Sequence, residues 1–362
     1  MTSRERYINT IEGKPIDRFV RTELGPWPST LERWINEGLP TDQDFMEHFE
    51  MDPMMILPIK SGYTESPYLP TFEPEVLEET EEHVVRVDPD GITKKVLKSR
   101  TDTSMPQFLK FPVASRQDWE KIRERLDPGD TTKRIGEPKF LTEQCSDPNV
   151  PTVLPICGAY GHPRNLLGAE GLSYVLFDDP DLLHEILENW CELYIELIRQ
   201  LTAIIRIDGI VMWEDMCYKN GPLINPAHFR TFMLPRYKSF IQAAKACGVS
   251  GIAVDSDGDV REMIPIFLEA GVNVMLPFEV QAGLDVVKIR EQFGDSFVIM
   301  GGIDKRALAR DKKSIKAEVD RVVPYFIERG RYVPCLDHAV PTDVSLDNFT
   351  YYLQCLRSYE KG

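Results

Sequence analysis

The chain has no run of about 18 or more apolar residues, so no membrane-spanning helix is expected. Its opening, MTSRERYINTIEGKPIDRF, is charged and lacks the apolar core of a secretory signal, which predicts a cytoplasmic protein. Basic charge is in deficit: 42 Lys and Arg stand against 58 Asp and Glu, a formal net charge of −16. Nucleic-acid binders present a basic face, so that role is set aside. Paired cysteines are missing as well. The seven, at 145, 157, 191, 217, 247, 335 and 355, include no CxxC pair, which removes the common structural zinc modules and suggests reduced thiols packed in a core. Internal repeats and low-complexity tracts are likewise absent.

What is present is a soluble globular composition, 42% hydrophobic and 28% charged over 362 residues. Short apolar stretches alternate with longer helical patterns. The strand pattern falls at 19–24, 53–58, 152–156, 209–213, 251–254, 273–276, 297–300 and 332–334. The helical pattern falls at 180–205, 226–246, 259–269, 284–292 and 313–329, with a last helix near 346–358. Such alternation means parallel strands joined by crossovers, and eight of them predict a closed (β/α)8 TIM barrel rather than an open sheet. The prediction is one domain over 1–362 with an insertion at about 76–150. Within it, 76–99 reads as a β-hairpin turning at Asp88-Pro89-Asp90-Gly91, and the rest as a covering lid.

Active sites of such barrels lie at the C-terminal ends of the strands. The stretch GIAVDSDGDV (251–260) ends a hydrophobic strand in carboxylates. Alternation places Ala253, Asp255 and Asp257 on one face and Ile252 and Val254 on the other, so the aspartates are expected at the mouth. Other strand ends add to the rim: Glu214 and Asp215 in WEDM, Glu279 in NVMLPFE, and His338 in CLDHAVP. Trp213, Tyr218 and Phe278, with Trp27, are candidate walls for an aromatic substrate, and Gly301-Gly302 for close backbone approach to a ligand. The plainer alternative for DSDGDV is a solvated turn that caps the following helix. His162, which opens HPRN, is the one further histidine singled out.

Several segments together resemble the uroporphyrinogen decarboxylase superfamily, which includes cobalamin-dependent methyltransferases. They are RERYINTIEGKPIDR (4–18), GAYGHPRNLLGAEGLSYVLFDDPDLLHEIL (158–187), PLINPAHFRTFMLPRYKSF (222–240), DSDGDV (255–260), MGGIDKRAL (300–308) and DHAVPTDVSLDNF (337–349). The decarboxylases grip their substrate's propionates with an arginine-rich segment after the first strand. Here RTELGPWPSTLERW (21–34) is acidic and aromatic instead, and an acidic rim opposes a ligand with eight carboxylates.

The resemblance therefore implies the methyltransferase branch. Its zinc-dependent members use His, Cys and acidic ligands at positions where this chain carries Asp255, Asp257, Glu279 and His338. That replacement implies a harder site, for zinc or a similar ion, suited to an oxygen-linked methyl donor. The implied reaction is anaerobic O-demethylation, with a small methoxylated aromatic as donor. Its methyl group passes to a corrinoid (cobalamin) held by a partner corrinoid protein, since the chain has no cobalamin-binding motif of the usual form. His338, Glu214 and Asp215 are the candidate catalytic residues, His338 acting as ligand or proton donor to the departing oxygen. Two alternatives stay open, a decarboxylase of a small carboxylic acid and a corrinoid- or tetrapyrrole-binding protein without turnover. A homodimer is also considered.

Overall fold

The computed structural model describes residues 1–63, 65–98, 105–130 and 132–360. Its centre is a seven-stranded, wholly parallel sheet. In chain order its strands are β1 (Met55–Ile56), β2 (Thr152–Cys157), β3 (Gly209–Trp213), β4 (Gly251–Asp255), β5 (Val274–Leu276), β6 (Val298–Met300) and β7 (Tyr332–Val333). Spatial order follows chain order. Each strand therefore pairs with the next through a crossover, mostly helical, as a barrel wall requires.

Side-chain parity shows that the sheet curls. Ile252 and Val254 of β4 join the large outer core shared with the helices. Ala253, Val274, Leu276, Val298 and Val333 meet instead in a separate inner cluster with Val20 and Ile11. Strands that are distant along the sheet can pool one face in this way only if the sheet bends around it.

The expected eighth strand does not form a ladder. Residues 19–24 are extended, yet their neighbours are held by side chains in place of strand pairing. Asp52 accepts the Arg21 N–H at 2.9 Å and donates its own N–H to the Arg21 carbonyl at 2.8 Å. On the other side Glu23 accepts the Leu336 N–H at 3.0 Å, and Val340 bonds Gly25 and Trp27. Carboxylates thus occupy donors that a regular ladder would use, and the wall is a partial barrel of seven strands with an irregular stave.

The floor is a helix, α1 (Ser3–Glu12). Thr2 and Glu5 close a reciprocal capping box at its start, with bonds of 3.1 and 2.9 Å. Its Tyr7 hydroxyl takes the space that a side chain at Gly209 would fill, and lies close under Gly251. Only glycine lets the helix seat so tightly against β3 and β4.

The inserted segment is richer than one hairpin. Strands Glu75–Glu79, His83–Val87, Thr93–Leu97 and Gln107–Lys110 form a four-stranded antiparallel sheet, and the expected turn at 88–91 joins its middle pair. Short helices, among them Arg116–Arg123 with Trp119 fully buried, carry the chain back to β2. Residues 99–104 and 131 of this insertion lie outside the described residues. The expected helix 226–246 is two, Pro226–Phe232 and Leu234–Ala246. No described helix is long and apolar enough to cross a membrane.

Candidate active site

At the C-terminal ends of the strands lies a cavity of about 260 Å³, lined by Leu24, Tyr63, Trp213, Asp215, Asp255, Asp257, Pro277, His338 and Ala339. Five of the expected site residues therefore meet: Trp213, Asp215, Asp255, Asp257 and His338. Strand β4 delivers Asp255 on the parity that sends Ala253 inward, and the loop beyond it carries Asp257.

The carboxyl of Asp255 is pushed up to about 7, first by burial, then by the neighbouring charge of Asp257. His338 and the Tyr63 hydroxyl pull the other way. Asp255 thus carries a proton at neutral pH for a good part of the time. His338 Nε2 lies 3.5 Å from Asp257 Oδ2, and that carboxylate raises the imidazole above its ordinary value against the opposing effect of burial. The Trp27 indole stacks on the His338 ring, centroids 6.2 Å apart and planes 12° from parallel, which fixes the ring's orientation. Asp215 is held by Arg164, whose guanidinium bonds both its carboxylate and its carbonyl and sits 5.5 Å over the Trp213 ring.

The other expected site residues are placed elsewhere. Glu214 is fully buried behind the wall, where it accepts the N–H groups of Tyr160 at 2.8 Å and Gly161 at 2.7 Å, together with the Tyr237 hydroxyl. It anchors the start of the helix Gly161–Asp178, and a side chain at Gly158 would collide with its carboxyl group. Burial pushes it up to about 7 too, but no substrate reaches it. Phe278 also misses the mouth. Its φ of +62° breaks the alternation after β5 and turns the ring into the outer core, stacked on Phe297. Tyr218 is 63% exposed on a two-stranded turn and does not line the cavity. Gly301 and Gly302 are glycines for packing: side chains there would strike the Pro277 carbonyl and Val286.

Glu279 takes a tie of its own, accepting the Gly258 N–H at 3.0 Å with Lys305 Nζ at 3.6 Å. Among the described residues no group of three or more His, Cys, Asp or Glu side chains is arranged to hold a metal ion. The expected set of Asp255, Asp257, Glu279 and His338 does not converge, because Glu279 is engaged on the Gly258 loop. A resident zinc ion does not fit these residues as they stand. Cys335 and its neighbour Asp337 are buried, Asp337 accepting the N–H groups of Val280 and Lys305.

Sequence reasoning missed Tyr63, Leu24, Pro277 and Ala339. Tyr63 sits in an irregular loop with no periodicity to place it and is 46% exposed, yet it lines the cavity with Asp255; partial desolvation, then the charge of Asp255, push the phenol up to about 12.

The family described as uroporphyrinogen decarboxylase (URO-D) matches residues 97–359. A solved methyltransferase from Methanosarcina mazei superposes with a TM-score of 0.64 at 15% identity, covering 100% of both chains. A B12-independent methionine synthase from Shewanella sp. W3-18-1 gives a TM-score of 0.36 at 12% identity, over 79% of this chain and 73% of that one. A putative vitamin-B12-independent methionine synthase from Listeria monocytogenes gives 0.36 at 13%, over 62% and 68%. The last two are too distant in shape to bear on function. No curated protein matches the sequence. A family match spanning nearly three-quarters of the residues, on a sheet whose inner and outer faces are sorted as a barrel requires, leads to one assignment: the chain belongs to the uroporphyrinogen decarboxylase family.

Proposed function

We propose that the protein is a methyltransferase that takes a methyl group from an oxygen-linked donor, a methoxylated aromatic, and passes it to the cobalt of a corrinoid carried by a separate protein. The observation that carries this reading is that two proton-bearing groups, Asp255 and His338, face one cavity beside an aromatic wall, Trp213. Support also comes from the name of the similarly folded protein from Methanosarcina mazei, a methyltransferase.

Breaking an aryl methyl ether sends the C–O electron pair to oxygen, and a phenolate leaves poorly unless it gains a proton as it departs. The acceptor's reduced cobalt supplies the electron pair for the new bond to carbon. This chain's task is the proton. His338, its imidazole raised above the ordinary value by Asp257 and stacked against Trp27, donates it to the departing oxygen. Protonated Asp255 hydrogen-bonds the same oxygen. No step passes through zinc. The rim also argues against a porphyrinogen: Asp215, Asp255 and Asp257 line the mouth, and the nearby guanidinium of Arg164 is already committed to Asp215.

A second reading, decarboxylation of a small carboxylic acid, is favoured by the family's name and by the same donors, which could protonate a carbanion. One anaerobic assay separates the two. With reduced cobalamin as acceptor and a panel of methoxyaromatics, methanol, methylamines and thiols, methylcobalamin and a phenol are expected in equal amounts. Carbon dioxide release without methylcobalamin overturns methyl transfer and establishes the second reading.

A further inference from the structure

A second, larger chamber of about 660 Å³ adjoins the mouth, and Tyr63 lines both. Its volume lies within the usual range for small-molecule sites, about 300–1,000 Å³. Residues 60–63 and 65–71, the turn of the inserted sheet at 86–94 and the start of the helix Gly161–Asp178 enclose it. Neither the family's barrel-mouth chemistry nor the aspartate rim accounts for it.

The polar groups of this chamber sort into two kinds. On the inserted turn the charges are spent on one another: Arg86 bonds Asp88 at 2.7 Å, and Lys94 reaches Asp88 at 3.0 Å and Asp90 at 2.7 Å. Glu65, the remaining acid lining it, is solvent-exposed. Two other lining groups have no such partners among the described residues. His162 is 2% exposed and its Nε2 is buried with no hydrogen-bond partner among the described residues. Burial, with the charge of Arg134, lowers this imidazole to about 4, so it is neutral and able to carry a hydrogen on Nε2. Lys60 is half-buried and forms no ion pair among the described residues.

Both groups can donate, and one is a cation. Buried donors are ordinarily satisfied, and the group that satisfies several at once is an acceptor without hydrogens of its own. A carboxylate meets that description, and Lys60 supplies its counter-charge in a protein whose net charge otherwise repels anions. We propose that this chamber binds the carboxylate of the methyl donor through Lys60 and His162, which makes the donor a methoxylated aromatic acid whose ether end lies past Tyr63 in the mouth. The assignment of the ether end rests on the methyltransferase reading; that of the carboxylate end does not.

Calorimetric titration of the full chain with 4-methoxybenzoate and with neutral 4-methoxybenzyl alcohol tests it. The benzoate is expected to bind about tenfold or more tightly, the scale of one charge-assisted contact. Lys60→Met should abolish that preference while leaving the alcohol's affinity unchanged, and Lys60→Arg should keep it. Equal affinities in the unaltered protein, absence of benzoate binding, or a preference undiminished in Lys60→Met would each overturn the proposal. Lys60 is half-buried and outside the core clusters, so the variant is expected to fold, as circular dichroism can verify. No methyl acceptor is present in the titration. A chain that binds benzoate through Lys60 yet transfers no methyl group would therefore overturn the methyltransferase reading alone.

Discussion

The two ends of the barrel handle acidic residues in opposite ways. At the floor, Asp52 lies between Arg6 and Arg18, each at 2.7 Å, and Asp208 between Arg4 at 2.9 Å and Arg206 at 3.2 Å. At the mouth, among the described residues, Asp255 and Asp257 have His338 beside them and no arginine paired to either, and Asp255 also feels the charge of Asp215. The consequence shows in protonation. Asp52 is held below its ordinary range because the arginines and backbone donors outweigh burial, whereas Asp255 is held far above it. Carboxylates paired with arginine tie a chain together. Carboxylates crowded without an arginine become proton carriers.

The contrast can be broken from the mouth first. His338→Ala should lower turnover by about 10²-fold or more, the scale of a lost general acid. Its thermal unfolding should stay near that of the parent, since the residue sits at the rim. His338→Cys, which can bind metal but is a poor acid at neutral pH, should not restore the rate, as steady-state kinetics will show. Asp255→Asn comes next, with a loss of about tenfold or more in kcat. The parent's rate should fall as pH rises through about 7, where Asp255 gives up its proton, and the variant should lack that limb.

The floor should respond in stability instead. Asp52→Ala leaves the buried Arg6 with one partner fewer and should cost about 3 kcal/mol in a urea titration, with activity per folded molecule unchanged. The pH signs are opposite as well. Asp52, with a lowered value in the folded chain, adds stability above its unfolded value, and this is lost as pH falls through the folded value. Asp255, raised in the folded chain, favours folding most at low pH, and its contribution fades as pH climbs from about 4 to about 7. Asp255→Asn should flatten that decline, and Asp52→Ala should flatten the acid-side loss. Smallest of all, Tyr218→Ala should change stability by less than about 0.5 kcal/mol and leave the rate unaltered, because the ring stands in solvent.

Legibility in the sequence followed regularity of the backbone. Asp255 and Asp257 could be placed because β4 alternates cleanly up to its end, and Ala253 confirms the face. Phe278 one strand later is a candidate only as an aromatic near a strand end, and there a left-handed residue ends the period within a few positions. Glu214 reads as a rim acid until the fold puts Gly158 and the start of a helix against it, contacts made between residues more than 50 positions apart. The seven ladder strands were readable as apolar runs. The 19–24 segment has apolar residues at both ends, but the carboxylates of Asp52 and Glu23 occupy the N–H groups of Arg21 and Leu336, and composition does not reveal which donor a side chain will occupy. Tyr63 and the chamber behind it depend on loops, whose course no periodicity records.

The seat of Tyr7 beneath Gly209 and Gly251 has a bearing on how such a chain can vary over time. One phenol spans two strands whose glycines are 42 positions apart and closes the gap that both leave. A smaller residue at 7 would open a hole under the barrel, and a larger one at 209 or 251 would evict the ring. Neither step is neutral alone, so descendants of this sequence should exchange these three positions together or not at all, leaving a correlated triplet as the inherited mark of a plugged floor.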